Sequence, residues 1–232
     1  IERGEVLRGR RGQPATPIFL RPEGAYAIGI EIGWRNADVV AINLHAGVVA
    51  TRHIDYAEAD LTLLAPQLAL LIGGMIRDWP KEQRERLADI GVGMPGSIHA
   101  ATWPLEQGAG SKSGPAPAEF AADLQARTGL AVTLFNDGNA ACWAELIAQP
   151  APRPASFIYL LVSAYLAAGL IGEGRLWQGL TGHSADLGAM LVDRNDKGPL
   201  SAHAVASVSA LVERLAAAGI AADLSDIENW DW

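Results

Sequence analysis

Residues 132–141 read Val-Thr-Leu-Phe-Asn136-Asp137-Gly138-Asn139-Ala-Ala. An apolar strand runs into an Asn-Asp-Gly-Asn turn, and an alanine-rich helix leaves it. In open α/β sheets, ligands bind beyond the carboxyl ends of strands. A carboxylate there, flanked by amides, can hold a polyol and take the proton of one hydroxyl. Asp137 is therefore a candidate general base, and Asn136 and Asp137 together are candidate ligand contacts. The competing reading is an Asx turn that caps the helix over 139–148.

Strands and helices around this turn must position it. Ala27–Gly33 reads as a buried strand, 38–44 as a second and Val48–Ile54 as a third. A helix is expected over 61–78, with helical continuation at Arg84–Ala88 before a buried strand at Ile90–Met94 that ends in Pro95-Gly96-Ser97. A Gly/Ser/Pro loop over 108–117 precedes an amphipathic helix over 118–128 and the strand Leu130–Phe135. Gln149–Pro154, with prolines at 150, 152 and 154, marks an expected domain boundary. Strands follow at 157–163, 167–172 and 175–177, then a Gly-rich turn at 179–182 and a helix over Ser201–Ala218. This order predicts two α/β halves, 25–148 and 155–232.

Residues 1–24 differ in composition: Arg3, Arg8, Arg10, Arg11 and Arg21 lie among glycines and prolines. Val6-Leu7 and Ile18–Leu20 are expected to pair as a short hairpin, with a flexible linker as the alternative. The chain of 232 residues is half hydrophobic and carries a net charge of −8, so DNA contact must come from a local basic segment. Its single cysteine, Cys142, leaves no internal disulfide and no multi-cysteine metal site, which fits a reducing cytosol. Ala155–Gly172 imitates a membrane span in hydropathy, but its glycines and the following Glu173-Gly174-Arg175 turn read better as two adjacent strands. No membrane association is expected. His45, His53 and His99 fall at turns or strand ends and carry no assigned role, whereas Trp103 is a candidate for stacking on a ligand.

Four segments in register resemble the ROK family (repressor, open reading frame, kinase): Ile28–Gly33, Gly91-Val92-Gly93-Met94-Pro95-Gly96, Asn136-Asp137-Gly138-Asn139-Ala140-Ala141 and Gly174-Arg175-Leu176-Trp177-Gln178-Gly179. The resemblance covers roughly residues 5–215. It implies the actin/hexokinase-like (ribonuclease H-like) two-domain α/β fold, incomplete at both ends of this sequence. Gly9-Arg10-Arg11-Gly12-Gln13-Pro14-Ala15 is similar to the segment that, in the family's regulators, joins a winged helix-turn-helix to the sugar-sensing body. The resemblance then implies a missing winged helix-turn-helix, with Arg8, Arg10 and Arg11 touching DNA.

The chain departs from the family's pattern where phosphate and sugar should bind. The family's Asp-x-Gly-Gly-Thr-Lys hairpin is Glu31-Ile32-Gly33-Trp34-Arg35-Asn36 here. Phosphoryl transfer needs glycine-lined turns whose backbone N–H groups meet the phosphates, and Trp34 removes one such glycine. The second nucleotide turn, Gly-Thr-Gly in the family, is Ser163-Ala164-Tyr165. The family's Gly-Glu-x-Gly-His is Ala185-Asp186-Leu187-Gly188-Ala189, which keeps an acid and loses the histidine. The cysteines of its zinc segment are missing from Asp193–Ser201, so no metal and no cofactor are expected. If Ser201 stands at the last of those cysteines, His203 takes the place of the family's sugar-binding glutamate. Gly96, Asn136, Asp137, His183, Asp186 and His203 are thus the expected ligand-binding residues.

Three functions follow as expectations. The first is a cytoplasmic, dimeric ROK-type transcriptional regulator, a repressor by family label, whose body binds a sugar or sugar-derived effector without kinase activity. The second is a ROK hexokinase using ATP, with Asp137 as base. The third is a body that has lost its ligand and serves dimerisation.

Overall fold

The computed structural model describes residues 1–6, 15–96, 116–180, 182, 185–196 and 198–222. Its chain divides into two units, Ile1–Leu134 and Phe135–Trp232. The first opens with a two-stranded hairpin, β1 (Glu2–Arg3) and β2 (Ile18–Phe19). A sheet follows with β3 (Tyr26–Ile32), β4 (Asn36–Asn43), β5 (Val48–Asp55), β6 (Leu87–Met94) and β7 (Val132–Asn136) in the order β5-β4-β3-β6-β7. The first three strands form an antiparallel meander, and β6 lies parallel to β3. A parallel neighbour needs a long crossover, supplied here by helices α1 (Leu61–Ile76) and α2 (Lys81–Arg84).

Alternation fixes which face of the sheet is buried. Ile28, Ile30 and Ile32 of β3 point inward with Ala37, Val39 and Ala41 of β4 and Ile90, Val92 and Met94 of β6. Leu61, Leu64, Ala65, Leu68, Ile72 and Met75 of α1 cover that face at helical spacing. Asp60 caps this helix by accepting from Thr62 N–H at 2.8 Å. Phe120 and Leu124, from helix α3 (Pro117–Thr128), complete the core.

In the second unit, helix α4 (Asp137–Ala148) packs on a meander of β8 (Phe157–Val162), β9 (Leu166–Gly172) and β10 (Arg175–Leu176). Cys142, Leu146 and Ile171 are its buried centre, with Phe157, Tyr159 and Leu176 around them. The hairpin β11 (Leu191–Asn195) and β12 (Gly198–Ser201) leads to helices α5 (Ala202–Ala206) and α6 (Val208–Ala217). The Pro-rich segment Gln149–Pro154 lies inside this unit, between α4 and β8.

Several expectations are corrected. The helix expected over Ser201–Ala218 is two helices, because Ser207 is extended (φ −77°, ψ 161°) and caps the second by accepting from Ala210 N–H at 3.1 Å. Arg84–Ala88 is not helical throughout: α2 ends at Arg84 and β6 begins at Leu87. The N-terminal hairpin pairs Glu2–Arg3 with Ile18–Phe19, where Val6 was expected to pair; Leu7 lies outside the described residues. The β11–β12 hairpin was not expected; every residue of β11 is exposed, so no alternation advertises it. No described helix is long and apolar enough to cross a membrane.

Candidate functional site

The opening motif sits where β7 ends and α4 starts. Asn136 is the N-cap of α4, and its Oδ1 accepts from Gly138 N–H at 3.1 Å. Asp137 occupies the first helical position, half-buried, and its Oδ1 accepts from the same N–H at 2.8 Å. Negative charge is favoured there by the helix macrodipole. The capping reading of Asn136 therefore holds as geometry, and it starts the helix two residues earlier than expected.

The first turn of α4 is held by backbone contact. A Cβ on Gly138 would lie 2.4 Å from Ala168 O, and one on Gly169 would lie 2.3 Å from Cys142 Cβ. Only glycine permits this approach of helix to strand. From the same turn, buried Asn139 donates from Nδ2 to Gly182 O at 2.7 Å, across 43 residues of sequence. That bond pins the Gly-rich turn after β10 to the helix terminus. The sequence reading set Asn139 beside the carboxylate as one of the flanking amides but did not count it among the expected ligand-binding residues.

A second cluster surrounds His203. The ring is 4 % exposed and stands edge-on to Tyr165, with centroids 5.9 Å apart. It lies against Gly188, where a Cβ would come within 2.0 Å of His203 Cε1. Nδ1 accepts from Leu166 N–H at 3.0 Å, which places the neutral ring's proton on Nε2. Burial pushes the imidazole below its ordinary value, and the charge of exposed Asp186 opposes that shift. Asp186 and His203 are thus brought into one electrostatic neighbourhood, in which the neutral ring carries its proton on Nε2.

At the two turns that correspond to the family's phosphate turns, backbone groups are engaged by internal bonds. At the β3–β4 hairpin, Gly33 N–H donates to Asn36 O at 2.8 Å. The Tyr56 hydroxyl reaches Gly33 O at 2.8 Å and Asn36 O at 2.5 Å, and Tyr56 N–H donates to Arg35 O at 2.8 Å. Trp34 packs against the first unit's core rather than standing on the surface. Burial, with the charges of Asp38 and Glu31, pushes the Tyr56 phenol well above its ordinary value. At the β8–β9 turn, Ser163 N–H and Oγ both donate to Tyr165 O, at 3.1 and 2.9 Å. The first amides of α6 are also engaged: Val208 N–H donates to Ser163 O at 3.0 Å and Ser209 N–H to Ala164 O at 3.3 Å. A helix N-terminus binds anions through such amides, and here backbone carbonyls occupy them.

Of the remaining expected residues, Gly96 is an exposed turn residue beyond β6 in the first unit. His183, Trp103, His99, Arg8, Arg10 and Arg11 lie outside the described residues. Two histidines given no role make specific contacts. His53 bridges Asp38 at 2.7 Å and Asp55 at 3.1 Å, which raises its basicity, and His45 Nε2 meets Leu20 O at 3.0 Å.

Comparison with known proteins follows the same lines. The ROK family's sequence model matches residues 27–226. The chain is 24% identical over 197 residues to the xylose repressor of Bacillus subtilis (strain 168), covering 84% of this chain and 49% of the repressor. It is 27% identical over 164 residues to the N-acetyl-D-glucosamine kinase of Vibrio vulnificus (strain YJ016), covering 70% of this chain and 51% of the kinase. The chain thus spans about half the length of the curated relatives it matches. Among solved structures, a ROK family transcriptional regulator homologous to the E. coli MLC protein matches with a TM-score of 0.68 at 22% identity, over 90% of this chain and 53% of that one. A ROK family glucokinase from Streptomyces griseus, solved with glucose and AMPPNP, matches with a TM-score of 0.64 at 19% identity, over 84% of this chain and 62% of that one. Regulators and kinases therefore share this fold.

Proposed function

This chain belongs to the ROK family, and from that premise we propose that it is the effector-binding body of a transcriptional regulator, taking a sugar or sugar derivative and transferring no phosphate. The observation that carries the reading is the closed β3–β4 turn, where Gly33 N–H and the Gly33 and Asn36 carbonyls are bonded to one another or to Tyr56. A phosphoryl donor needs such amides turned toward its oxygens. The engaged amides at the start of α6 support the same conclusion from the other unit.

In this reading Asn136 and Asp137 act as hydroxyl-binding groups, with Asp186 and His203 as the polar pair of the second unit. Arg8, Arg10 and Arg11 meet DNA phosphate or the minor groove and supply affinity more than sequence choice. A sugar shifts the regulator's equilibrium only through its differential affinity for two states. Gel shifts of the full-length protein on the promoter of its own gene, with D-xylose, D-glucose and N-acetyl-D-glucosamine added in turn, test this. Salt-dependent binding altered by one sugar is expected; absent or salt-independent binding contradicts it.

One observation favours a kinase instead. Asp137 stands at the first position of α4, on a segment that keeps the family's Asn-Asp-x-Asn pattern. ATP-dependent phosphorylation of a hexose, abolished by Asp137→Asn, would establish that reading.

A further inference from the structure

We infer that His45 and Arg86 are positioning residues that fasten the β1–β2 hairpin to the five-stranded sheet of the first unit and so set its orientation on that sheet. Three carbonyls in a four-residue stretch, those of Leu20, Pro22 and Glu23, are each gripped by a different donor from the sheet's end. His45 Nε2 holds Leu20 O at 3.0 Å, Leu44 N–H holds Pro22 O at 3.0 Å, and Arg86 Nη1 holds Glu23 O at 3.0 Å. Tyr26 N–H closes the seam from the other side by donating to Arg86 O at 2.9 Å.

Both ends of this clamp are stiff. The β4–β5 turn that carries His45 is fixed by Asn43 Oδ1, which accepts from His45 N–H and Gly47 N–H at 2.9 Å each. Ala46 sits in the left-handed region at φ 58°. On the hairpin side, Gly4 N–H donates to Pro17 O at 2.9 Å, and Gly4 lies flush against Phe19 and Pro17. Gly24 meets Leu44 Cδ1 closely enough that a Cβ would stand 3.1 Å away. His45, Leu20 and Arg86 are exposed, so the bonds are individually weak. Each is worth a factor of about 2–10 in local opening. A seam of that strength holds a direction and still releases without unfolding the core, which suits a joint that must respond to the state of the body. The regulatory half of this inference rests on the regulator reading above: the seam ties the DNA-facing arm to the effector-binding body.

Two readouts test it on the full chain. In amide exchange, His45→Ala combined with Arg86→Ala should speed exchange at Leu44 N–H about 3–10-fold while Ile30 and Val39 stay unchanged. His45→Gln, which keeps a donor for Leu20 O, should restore much of the protection. Unchanged exchange at Leu44 in the double variant overturns the positioning role. In gel shifts on the promoter fragment with D-xylose, D-glucose and N-acetyl-D-glucosamine, the sugar-induced change in DNA affinity should shrink at least about threefold, by the same bond factor. The sugar-induced rise in Tm should be kept. A full sugar response in the double variant overturns the coupling. Wild-type protein that binds no DNA defeats the regulator reading and the coupling together, while amide exchange still decides the positioning role.

Discussion

Tyr56→Phe removes one oxygen from the lock on the β3–β4 turn. The ring packs against the first unit's core and keeps its shape in the variant, so the loss is that of the hydroxyl alone. One O–H serves two acceptors, Gly33 O and Asn36 O, and counts as about one net bond of 0.5–1.5 kcal/mol. Gly33 and Asn36 are half-buried, so water replaces the lost donor only in part, and the sum comes to about 1–2 kcal/mol. For a chain of this length that lowers Tm by about 2–8 °C. The local signature is sharper: Gly33 N–H, bonded to Asn36 O at 2.8 Å, should exchange about 5–30-fold faster. Urea denaturation with an unchanged m-value and amide exchange by NMR read both effects. A destabilisation under about 0.5 kcal/mol, the range of an ordinary surface substitution, with Gly33 exchange unaltered would refute the claim that Tyr56 closes this turn.

His53 and His203 should titrate on opposite sides of the ordinary imidazole value of about 6.5, with His53 raised by its bonds to Asp38 and Asp55 and His203 lowered by burial; imidazole NMR signals check the order. The signs for stability are opposite as well. Below pH 6.5 the unfolded chain binds the proton that buried His203 refuses, so its contribution is lost as pH falls. The contribution of His53 is present below pH 6.5 and lost as pH rises through its higher folded value. His203→Asn, which keeps an acceptor for Leu166 N–H, should remove the first dependence and leave the second in denaturation curves from pH 5 to 8. Gly138→Ala drives a Cβ into Ala168 backbone and should cost about 2–3 kcal/mol as overpacking, read as a loss in urea midpoint. A wild-type midpoint would mean that the α4–β9 contact relaxes freely.

Much of the first unit was legible because its first strand, β3, alternates strictly. Ile28, Ile30 and Ile32 face the core while their neighbours do not, and α1 repeats Leu at helical spacing. The Asn136–Asn139 turn was legible because apolar strand, cap and alanine-rich helix follow one another without interruption. What escaped reading lacked periodicity or depended on long-range contact. The β11–β12 hairpin has no buried face on β11, and the break at Ser207 is set by a serine that suits a cap as well as a helix surface. Trp34 lies in the turn between two strands, and only the fold brings the core beneath it. Tyr56, 20 residues beyond Asn36, and Asn139, 43 residues before Gly182, are ordinary in sequence and become specific only through the partners the fold brings to them.

The central claim, that this ROK body binds a sugar and no longer transfers phosphate, is tested most directly by one ATP-coupled phosphorylation assay. Purified full-length protein is given Mg-ATP with D-xylose, D-glucose or N-acetyl-D-glucosamine, with Tm followed on the same samples. The account predicts no sugar-dependent ADP release and no shift with ATP. It also predicts a rise with one sugar of the size mass action requires, about 2.7 kcal/mol at a hundredfold excess over Kd. Steady ADP release that depends on the sugar and vanishes in Asp137→Asn would contradict it.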